Sequence, residues 1–313
     1  MIEVSNLQKS YRRIRGLDGF SMRVEKGEVV GLVGPNGAGK TTLIKILSTL
    51  LPADSGVARI GEWDVKENPT QVRAAIGYLP DVAGIYQDLR INEFLEFFAD
   101  AFHLKAEKRE EAIARALENS GLQDRKEEYV EHLSLGWKQR LQLAKTLIHE
   151  PKVLLLDEPA SGLDPLARIA FREQLKKLRA EGMTILVSSH ILADLEDVCT
   201  RIVFIADGKG IVEPKTDEGL RSGPATGAIQ CQIEFQENAK AAELARNFGR
   251  ARILESSSTH LRAEIEGGEQ GASQFLRTLL EGGVVVLRFD TKFSGLEDRY
   301  VRAFRGPDGK AAS

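Results

Sequence analysis

The stretch Gly34-Pro35-Asn36-Gly37-Ala38-Gly39-Lys40-Thr41 decides the fold, because it fits the phosphate-binding loop pattern G-x-x-x-x-G-K-[ST]. Its glycines allow the backbone to turn N–H groups inward around phosphate oxygens. A mostly apolar run over 28–33 precedes this loop, and apolar residues at helical spacing follow it as far as Leu50. The pattern therefore predicts a buried strand, a phosphate-binding turn and a helix that begins at Lys40.

Each part of this P-loop has a predicted role toward a nucleoside triphosphate. Lys40 is expected to reach the β- and γ-phosphates and to act in catalysis, and Thr41 is expected to offer its hydroxyl to Mg²⁺. The positive end of the following helix adds to the attraction of phosphate. The predicted ATP-binding residues of the loop are Gly34, Pro35, Asn36, Gly37, Ala38, Gly39, Lys40, Thr41 and Thr42.

Two adjacent acids, Asp157 and Glu158, follow a second apolar run at Val153–Leu156. They stand at the C-terminal end of a predicted strand, where open α/β sheets bind ligands. Asp157 is predicted to hold Mg²⁺, directly or through water, and Glu158 to polarise the attacking water as general base. Two neighbouring carboxylates are costly unless a cation lies near, which favours a metal site over an ordinary strand end.

The order of strand and helix patterns predicts an α/β fold of the P-loop NTPase class, with a mainly parallel sheet and covering helices. The stretch from about 82 to 148 is mostly helical in pattern and is predicted to be a helical subdomain. Further along, the pattern predicts a strand over Thr184–Ser188 and a helix over Ile191–Cys199. Lys26-Gly27 is predicted to form a hairpin turn.

A change of composition over 218–228, which is rich in Gly, Ser, Thr and Pro, predicts a linker after a first domain at 1–217. Beyond it, over 229–305, the order β-α-β-β-α-β predicts a small ferredoxin-like α+β domain. A last short helix is expected at about 295–304, and the tail 306–313 is expected to be disordered.

With these motifs in place, the first domain resembles an ABC nucleotide-binding domain. Residues 133–140, Leu-Ser-Leu-Gly-Trp-Lys-Gln-Arg, resemble the signature motif of that family, which usually reads LSGGQ. Leu135 and Trp137 replace the common glycine and glutamine, whereas Ser134 and Gly136 are intact. In the family the signature acts on ATP held by the other protomer. The resemblance therefore implies that Ser134 and Gly136 contact nucleotide across a head-to-tail dimer that encloses two ATP molecules.

Four further residues stand at positions that the family pattern uses, three as matches and one as a departure. Asp164, within Ser161-Gly162-Leu163-Asp164-Pro165, resembles the D-loop residue that crosses the dimer interface. His190 resembles the switch histidine, whose Nε2 would contact the γ-phosphate. Tyr11 stands where the family stacks an aromatic ring on adenine, although a surface tyrosine is an alternative. Asp81 stands where the family usually has glutamine; it is expected to be a Mg²⁺ and coupling residue, and the alternative is a loop acid that faces solvent.

The composition is consistent with these implications. Of the 313 residues, 42% are hydrophobic and 28% charged, and the net charge of −3 predicts no nucleic-acid partner. No stretch approaches the ~18 apolar residues that cross a bilayer, and the N-terminus lacks the apolar segment of a signal peptide. The two cysteines, Cys199 and Cys231, are expected to be reduced thiols of a cytosolic protein.

The resemblance implies an ATP-hydrolysing subunit that powers export through a separate integral membrane permease. It implies ATP and Mg²⁺ as cofactors, a homodimer or a heterodimer with a similar ATPase, and a cytoplasmic position, peripheral on the inner face of the cell membrane. The substitutions in the signature resemble those of the exporter branch with a single-domain ATPase subunit. The alternative is a soluble ABC ATPase of DNA repair or translation, but the chain shows no long coiled-coil or zinc insertion and no second cassette.

Overall fold

The chain divides into two units, Met1–Lys215 and Thr216–Ser313. The structure, a computed structural model, describes residues 1–12, 14–82, 84–195, 197–212, 229–238 and 240–293. The linker predicted at 218–228, the last helix at 295–304 and the tail at 306–313 lie outside these described residues. Each unit has its own hydrophobic core.

Strands and helices alternate along the first unit, as the pattern predicts. Its elements in chain order are β1 (Ile2–Tyr11), β2 (Ile14–Val24), β3 (Val29–Val33), α1 (Lys40–Leu47), β4 (Ser55–Ile60), β5 (Trp63–Asp64), α2 (Pro69–Ala75), β6 (Ile76–Leu79), α3 (Ile91–Ala101), α4 (Ala106–Ser120), α5 (Leu135–Leu147), β7 (Val153–Leu156), α6 (Pro165–Ala180), β8 (Thr184–Ser189), β9 (Arg201–Ala206) and β10 (Lys209–Val212).

A six-stranded sheet with the order β10-β9-β3-β8-β7-β6 forms the centre of this unit. Strands β9, β3, β8, β7 and β6 run parallel, and β10 pairs antiparallel with β9. Every residue of β3, β7 and β8 is buried, as their continuous apolar sequences predict for central parallel strands. The predicted α/β class with a mainly parallel sheet is confirmed.

A second, antiparallel sheet has the order β2-β1-β4-β5. Since β2 and β3 belong to different sheets, the hairpin predicted at Lys26-Gly27 is wrong. The start of β3 is instead tied to the parallel sheet. Gly27 donates its N–H to Thr184 Oγ1 over 2.9 Å, and the buried Arg201 guanidinium donates to Glu28 over 2.8 Å. These contacts direct the chain away from β2 at the turn.

Helices α3, α4 and α5 pack on one another and form a helical layer in the predicted region. Their shared core includes Ile91, Phe94, Leu95, Ala116, Leu117, Leu141 and Ala144, all at most 4% exposed. Helix α4 ends at Gly121, whose φ of 67° is the left-handed conformation typical of a glycine at a helix C-terminus.

The helix predicted over Ile191–Cys199 is wrong. Among the described residues of this segment, 191–195 and 197–199, the one helical element is a short 3₁₀ helix, Leu192–Asp194, followed by turns. Two arginines of α6 account for the difference, because Arg172 donates to Ala193 O over 2.8 Å and Arg179 to Val198 O over 3.1 Å. These carbonyls are thus bonded to guanidinium groups, while apolar side chains of the segment, such as Leu195, are buried.

The second unit forms an antiparallel sheet with two helices. Its elements are β11 (Ile229–Phe235), α7 (Ala241–Asn247), β12 (Ala251–Ser256), β13 (His260–Ile265), α8 (Gly268–Glu281) and β14 (Val286–Phe293). The strand order β12-β13-β11-β14 and the element order confirm the predicted ferredoxin-like topology. Across the described parts of both units, no helix combines the length and the apolar character that a membrane span requires.

Candidate active site

The candidate site lies at the C-terminal ends of three neighbouring parallel strands, β3, β8 and β7. The P-loop follows β3, Asp157 and Glu158 follow β7, and His190 follows β8. Val33 is in register with Ser189, and Leu156 with Val187, so the three strands end side by side. This edge of a parallel sheet is where open α/β folds bind ligands.

Two glycines of the P-loop are required by close packing. A Cβ at Gly34 would lie 2.1 Å from the carbonyl oxygen of Ile205. Gly39 has a φ of 113°, and a Cβ there would lie 2.3 Å from the carbonyl oxygen of Gly16. Since no side chain fits at these contacts, the loop passes directly over the backbone of neighbouring strands, and its tip, residues 35–37, is exposed.

Lys40 projects from the first turn of α1 back into the P-loop and is 5% exposed. Its Nζ donates to the carbonyl oxygens of Gly34 over 2.7 Å and Pro35 over 3.2 Å. The same ammonium group lies 3.2 Å from Oε1 of Glu158. The structure therefore brings the predicted phosphate-binding lysine and the predicted general base into direct contact.

Asp157 is 1% exposed and accepts hydrogen bonds from two hydroxyl groups. Ser188 Oγ donates to its Oδ1 over 2.8 Å, and Thr41 Oγ1 donates to the same oxygen over 3.2 Å. Burial raises the pKa of the Asp157 carboxyl; the two hydroxyl hydrogen bonds lower it, and the charges of Asp81 and Glu158 raise it again. A nearby cation would favour the ionised form.

Glu158 is held from several sides. Its backbone N–H donates to Ser188 Oγ over 2.9 Å, and its φ of 47° places it in the left-handed region that few non-glycine residues adopt. Its Oε2 lies 2.7 Å from Nδ1 of His190 and accepts the backbone N–H of His190 over 3.3 Å. Because Nδ1 of the imidazole meets Glu158, Nε2 is the nitrogen that remains for a phosphate.

Thr41 and Asp157 form the part of the site that could hold a metal ion. A hydroxyl and a carboxylate that converge within 3.2 Å suit Mg²⁺, which commonly takes one or two protein ligands and completes its octahedron with water and substrate phosphate. Among the described residues there is no group of three or more His, Cys, Asp and Glu side chains that could hold a metal ion.

The structure places Asp81 on an exposed loop after β6. Its negative charge nevertheless acts on this site, since it raises the pKa of Asp157. It also affects the neighbouring Tyr78, where burial and the charges of Asp157 and Asp81 raise the pKa to about 12. Asp81 is thus close enough for an electrostatic role, while direct metal contact stays a prediction.

Tyr11 lies beside α1, the helix that follows the P-loop, and its ring packs against Gly16. Its OH is 3.4 Å from Oγ1 of Thr42, and a Cβ at Gly16 would lie 2.8 Å from the ring. The side chain is 42% exposed. A half-exposed aromatic ring beside a phosphate-binding loop is able to stack on a nucleobase.

The signature residues Ser134 and Gly136, and Asp164, lie at the starts of α5 and α6 and not at the ends of β3, β7 and β8. Ser134 is the N-cap of α5, is exposed and makes no side-chain capping hydrogen bond. Gly136 packs against α6, where a Cβ at this glycine would lie 2.7 Å from Cβ of Ala167. Asp164 caps α6 by accepting the N–H of Ala167 over 3.0 Å. Within the described ranges, no hydrogen bond or ion pair joins these residues to the cluster formed by Lys40, Thr41, Asp157, Glu158 and His190.

One residue of the cluster was missed from the sequence. Ser188 bonds both to the Asp157 carboxylate and to the Glu158 backbone, and it is fully buried. The available signal was a hydroxyl side chain inside an apolar strand, two residues before His190. A buried hydroxyl needs a partner, and the neighbouring strand end offers two.

Comparisons with known proteins agree with this geometry. Residues 17–161 match the family model described as ABC transporter. The chain is 32% identical over 305 residues to a daunorubicin resistance ATP-binding protein of Streptomyces coeruleorubidus, which covers 96% of this chain and 94% of that protein. It is 35% identical over 227 residues, or 72% and 73% of the two chains, to a linearmycin resistance ATP-binding protein of Bacillus subtilis.

Solved structures show the same architecture. An ATP-binding subunit of an ABC transporter superposes with a TM-score of 0.61 at 32% identity, over 70% of this chain and 91% of that one. A dimeric ATP-binding cassette bound to ADP and Pi in a post-hydrolysis state superposes with a TM-score of 0.61 at 25% identity, over 71% and 100%. The chain therefore belongs to the ABC transporter ATP-binding proteins and is the ATP-hydrolysing subunit of a transporter.

Proposed function

We propose that two copies of this chain, or one copy and a similar ATPase, enclose two Mg-ATP molecules, and that closing and opening of this dimer powers export through a separate integral membrane permease. The observation that carries the proposal is the Lys40–Glu158–His190 cluster, with Thr41 and Asp157 beside it, at the ends of β3, β7 and β8. These contacts bring together a cation suited to phosphate, a hydroxyl and a carboxylate suited to Mg²⁺, a carboxylate suited to act as base and an imidazole suited to hydrogen-bond the γ-phosphate.

Within one copy, the residues of the cluster divide the work. Lys40 exchanges its contacts with Gly34, Pro35 and Glu158 for the β- and γ-phosphates. That exchange frees the Glu158 carboxylate to accept a proton from the attacking water. His190 orients Glu158 through Nδ1 and presents Nε2 to the γ-phosphate. Since carboxylate and phosphate both accept, the ring donates to both only as the doubly protonated imidazolium. Thr41 and Asp157 would hold Mg²⁺, which neutralises charge on the phosphates.

The second copy supplies the signature. Ser134 and Gly136 start α5, and a helix N-terminus whose serine does not cap its own backbone is suited to an anion. Since no described contact joins this helix start to the P-loop of its own chain, we assign it to nucleotide bound by the partner. The relatives support this, since one solved cassette is dimeric. Asp164 is assigned to the same interface, beside Gly136.

We propose that the permease binds near an exposed aromatic group on the helical layer. Tyr86 is 56% exposed and Phe97 48%, and their ring centroids lie 5.3 Å apart. Adjacent apolar side chains at a surface are typical of a protein-binding site. The group lies in the stretch that follows Asp81, which acts electrostatically on Asp157. We therefore place Asp81 between the nucleotide and the permease, and the chain on the cytoplasmic face of the membrane.

The domain assignment is also a proposal. We assign ATP binding and hydrolysis to residues 1–217, and an accessory role to the ferredoxin-like domain at 229–305. The relatives are transporter ATP-binding proteins, so the soluble repair or translation alternative is not favoured.

The dimer can be tested with the unmodified protein. If each active site needs two copies, ATP turnover per mole of protein should rise with protein concentration and reach a plateau, since dilution dissociates the dimer. Removing Mg²⁺ with EDTA should stop turnover, and adding it back should restore it. Turnover per mole that stays constant over a thousandfold dilution, or that persists in EDTA, would contradict the proposal.

A further inference from the structure

Trp137, which replaces the glutamine usual in the signature, is flanked by two arginines. The Cζ atoms of Arg125 and Arg140 lie 4.3 and 4.4 Å from the centroid of its ring. We infer that this Arg125–Trp137–Arg140 stack is a positioning device, which fixes the first turn of α5 and thereby holds Ser134 where it meets nucleotide on a second copy. The inference rests on the proposed ATP-enclosing dimer.

The stack joins α5 to a separate segment of the helical layer. Arg140 follows Trp137 by three residues on α5, so the two lie on neighbouring turns of one face. Arg125 ends a short 3₁₀ helix, Gln123–Arg125, that comes after α4 and well before α5. Its guanidinium also lies 3.2 Å from the Glu128 carboxylate. Trp137 thus links the start of α5 to the segment that follows α4.

The other faces of the ring are also constrained. Trp137 is half-buried and packs against the core shared by α3, α4 and α5. Gly121, at the end of α4, leaves space for Arg140, since a Cβ there would lie 3.2 Å from the Nη1 atom of that arginine. The indole therefore contacts the core of the helical layer and lies close to two cations, an arrangement that restricts its movement.

The first turn of α5 lacks the usual local stabilisation. The Ser134 side chain makes no capping hydrogen bond, and the turn contains no acidic residue. Capping side chains and first-turn acids normally stabilise a helix start, but both would compete with a bound phosphate for the same N–H groups. The stack fixes the turn from the side instead, so that its N–H groups and the Ser134 hydroxyl stay available for an anion.

The ring of Trp137 lies close to two like charges, those of Arg125 and Arg140. Two guanidinium groups whose Cζ atoms lie 4.3 and 4.4 Å from the centroid of one ring are like charges at short range. Burial and the charge of Arg125 accordingly lower the pKa of Arg140. The electron-rich ring attracts both. Removing the ring leaves the repulsion in place, so Arg125 and α5 are expected to separate.

The test compares three variants in a hydrolysis-deficient Glu158→Gln background. Trp137→Leu keeps an apolar side chain in the core and removes the π system, whereas Trp137→Phe keeps a smaller ring. Trp63→Leu is the matched control, because Trp63 is the other of the two tryptophans and also has a cation over its ring, Lys152 at 5.4 Å. Trp63 belongs to β5 in the antiparallel sheet, not to the helical layer.

For each variant, ADP affinity, thermal midpoint and the dissociation constant of the ATP-driven dimer are measured. ADP is bound by the P-loop of one copy, so we expect its affinity to stay within about twofold in Trp137→Leu. The dissociation constant of the dimer should rise at least about tenfold, because Ser134 is held less firmly at both ATP sites. The dissociation constant of Trp137→Phe should lie between those of Trp137→Leu and the parent, and that of Trp63→Leu should equal the parent's.

Dimerisation of Trp137→Leu with the affinity of the parent would overturn the inference. So would a parallel loss of ADP binding, thermal midpoint and dimerisation, because that pattern indicates general unfolding. If the Glu158→Gln parent itself fails to dimerise with Mg-ATP, the proposed dimer is wrong, and the inference falls with it.

Discussion

Replacing Glu158 with glutamine should stop ATP turnover, leave ATP binding intact and trap the chain as an ATP-bound dimer. Glutamine has the same shape and keeps a hydrogen bond toward Nδ1 of His190, which lies 2.7 Å from the carboxylate in the native chain. It cannot accept the proton of the attacking water, so the loss of turnover should be about 10²- to 10⁴-fold.

The backbone of the variant should be unchanged. Ser188 holds the N–H of residue 158 independently of the side chain. The oligomeric state is measured by light scattering in Mg-ATP and in Mg-ADP, beside a turnover assay. Glu173→Gln serves as the control, because Glu173 is an exposed acid of α6 paired with Lys176. A Glu158→Gln protein that hydrolyses ATP at the native rate and stays monomeric in Mg-ATP would contradict the mechanism.

Replacing Lys40 with alanine should abolish tight ATP binding and turnover together. The Lys40 ammonium contacts the carbonyl oxygens of Gly34 and Pro35 and the carboxylate of Glu158. Among the described residues, the other group that can bring a positive charge to the Glu158 carboxylate is a protonated His190. Charge-assisted hydrogen bonds to phosphate contribute about 1.5–3 kcal/mol each, so losing two should weaken ATP binding by about 10²- to 10⁴-fold.

The control is Lys45→Ala, since Lys45 stands on the same helix α1 but is exposed. ATP and ADP affinities are measured by calorimetry, and turnover by phosphate release. The Lys40 variant should still fold, which the unfolding midpoint reports. Native ATP affinity in Lys40→Ala, or an equal loss in Lys45→Ala, would show that Lys40 is not the phosphate-binding group.

The sequence predicted those parts of the fold that depend on local pattern. The P-loop, the buried strands β3 and β7 and the βαββαβ order each follow from spacing within a short segment. The sequence also indicated Lys40, Asp157, Glu158 and His190 separately. The direct contacts of Glu158 with Lys40 and His190 could not be predicted, because they depend on the order of β3, β8 and β7 in the sheet.

The wrong predictions share one cause. The apolar spacing of 191–199 is helical, but guanidinium groups of α6 bond two of its carbonyls, and these arginines are distant in sequence. Likewise, Lys26-Gly27 is a turn, yet the salt bridge of Glu28 with Arg201 directs the following strand into another sheet. Tertiary contacts overrode local pattern in each case.

The central claim is that ATP held by Lys40 of one copy is closed over by Ser134 of another, and mixing two defective proteins tests it most directly. One protein carries Lys40→Ala and the other Ser134→Arg, both with Glu158→Gln. Each is labelled in two separate batches, one with a donor dye and one with an acceptor dye, so that pairing of like and of unlike proteins can both be measured. A dimer of either protein with itself has no complete ATP site. A mixed dimer has one, formed by the intact Lys40 of the Ser134→Arg copy and the intact Ser134 of the Lys40→Ala copy. We expect Mg-ATP to produce energy transfer between the unlike proteins and none between two copies of the same protein. Equal energy transfer within one variant, or none in the mixture while Glu158→Gln alone dimerises, would contradict the claim.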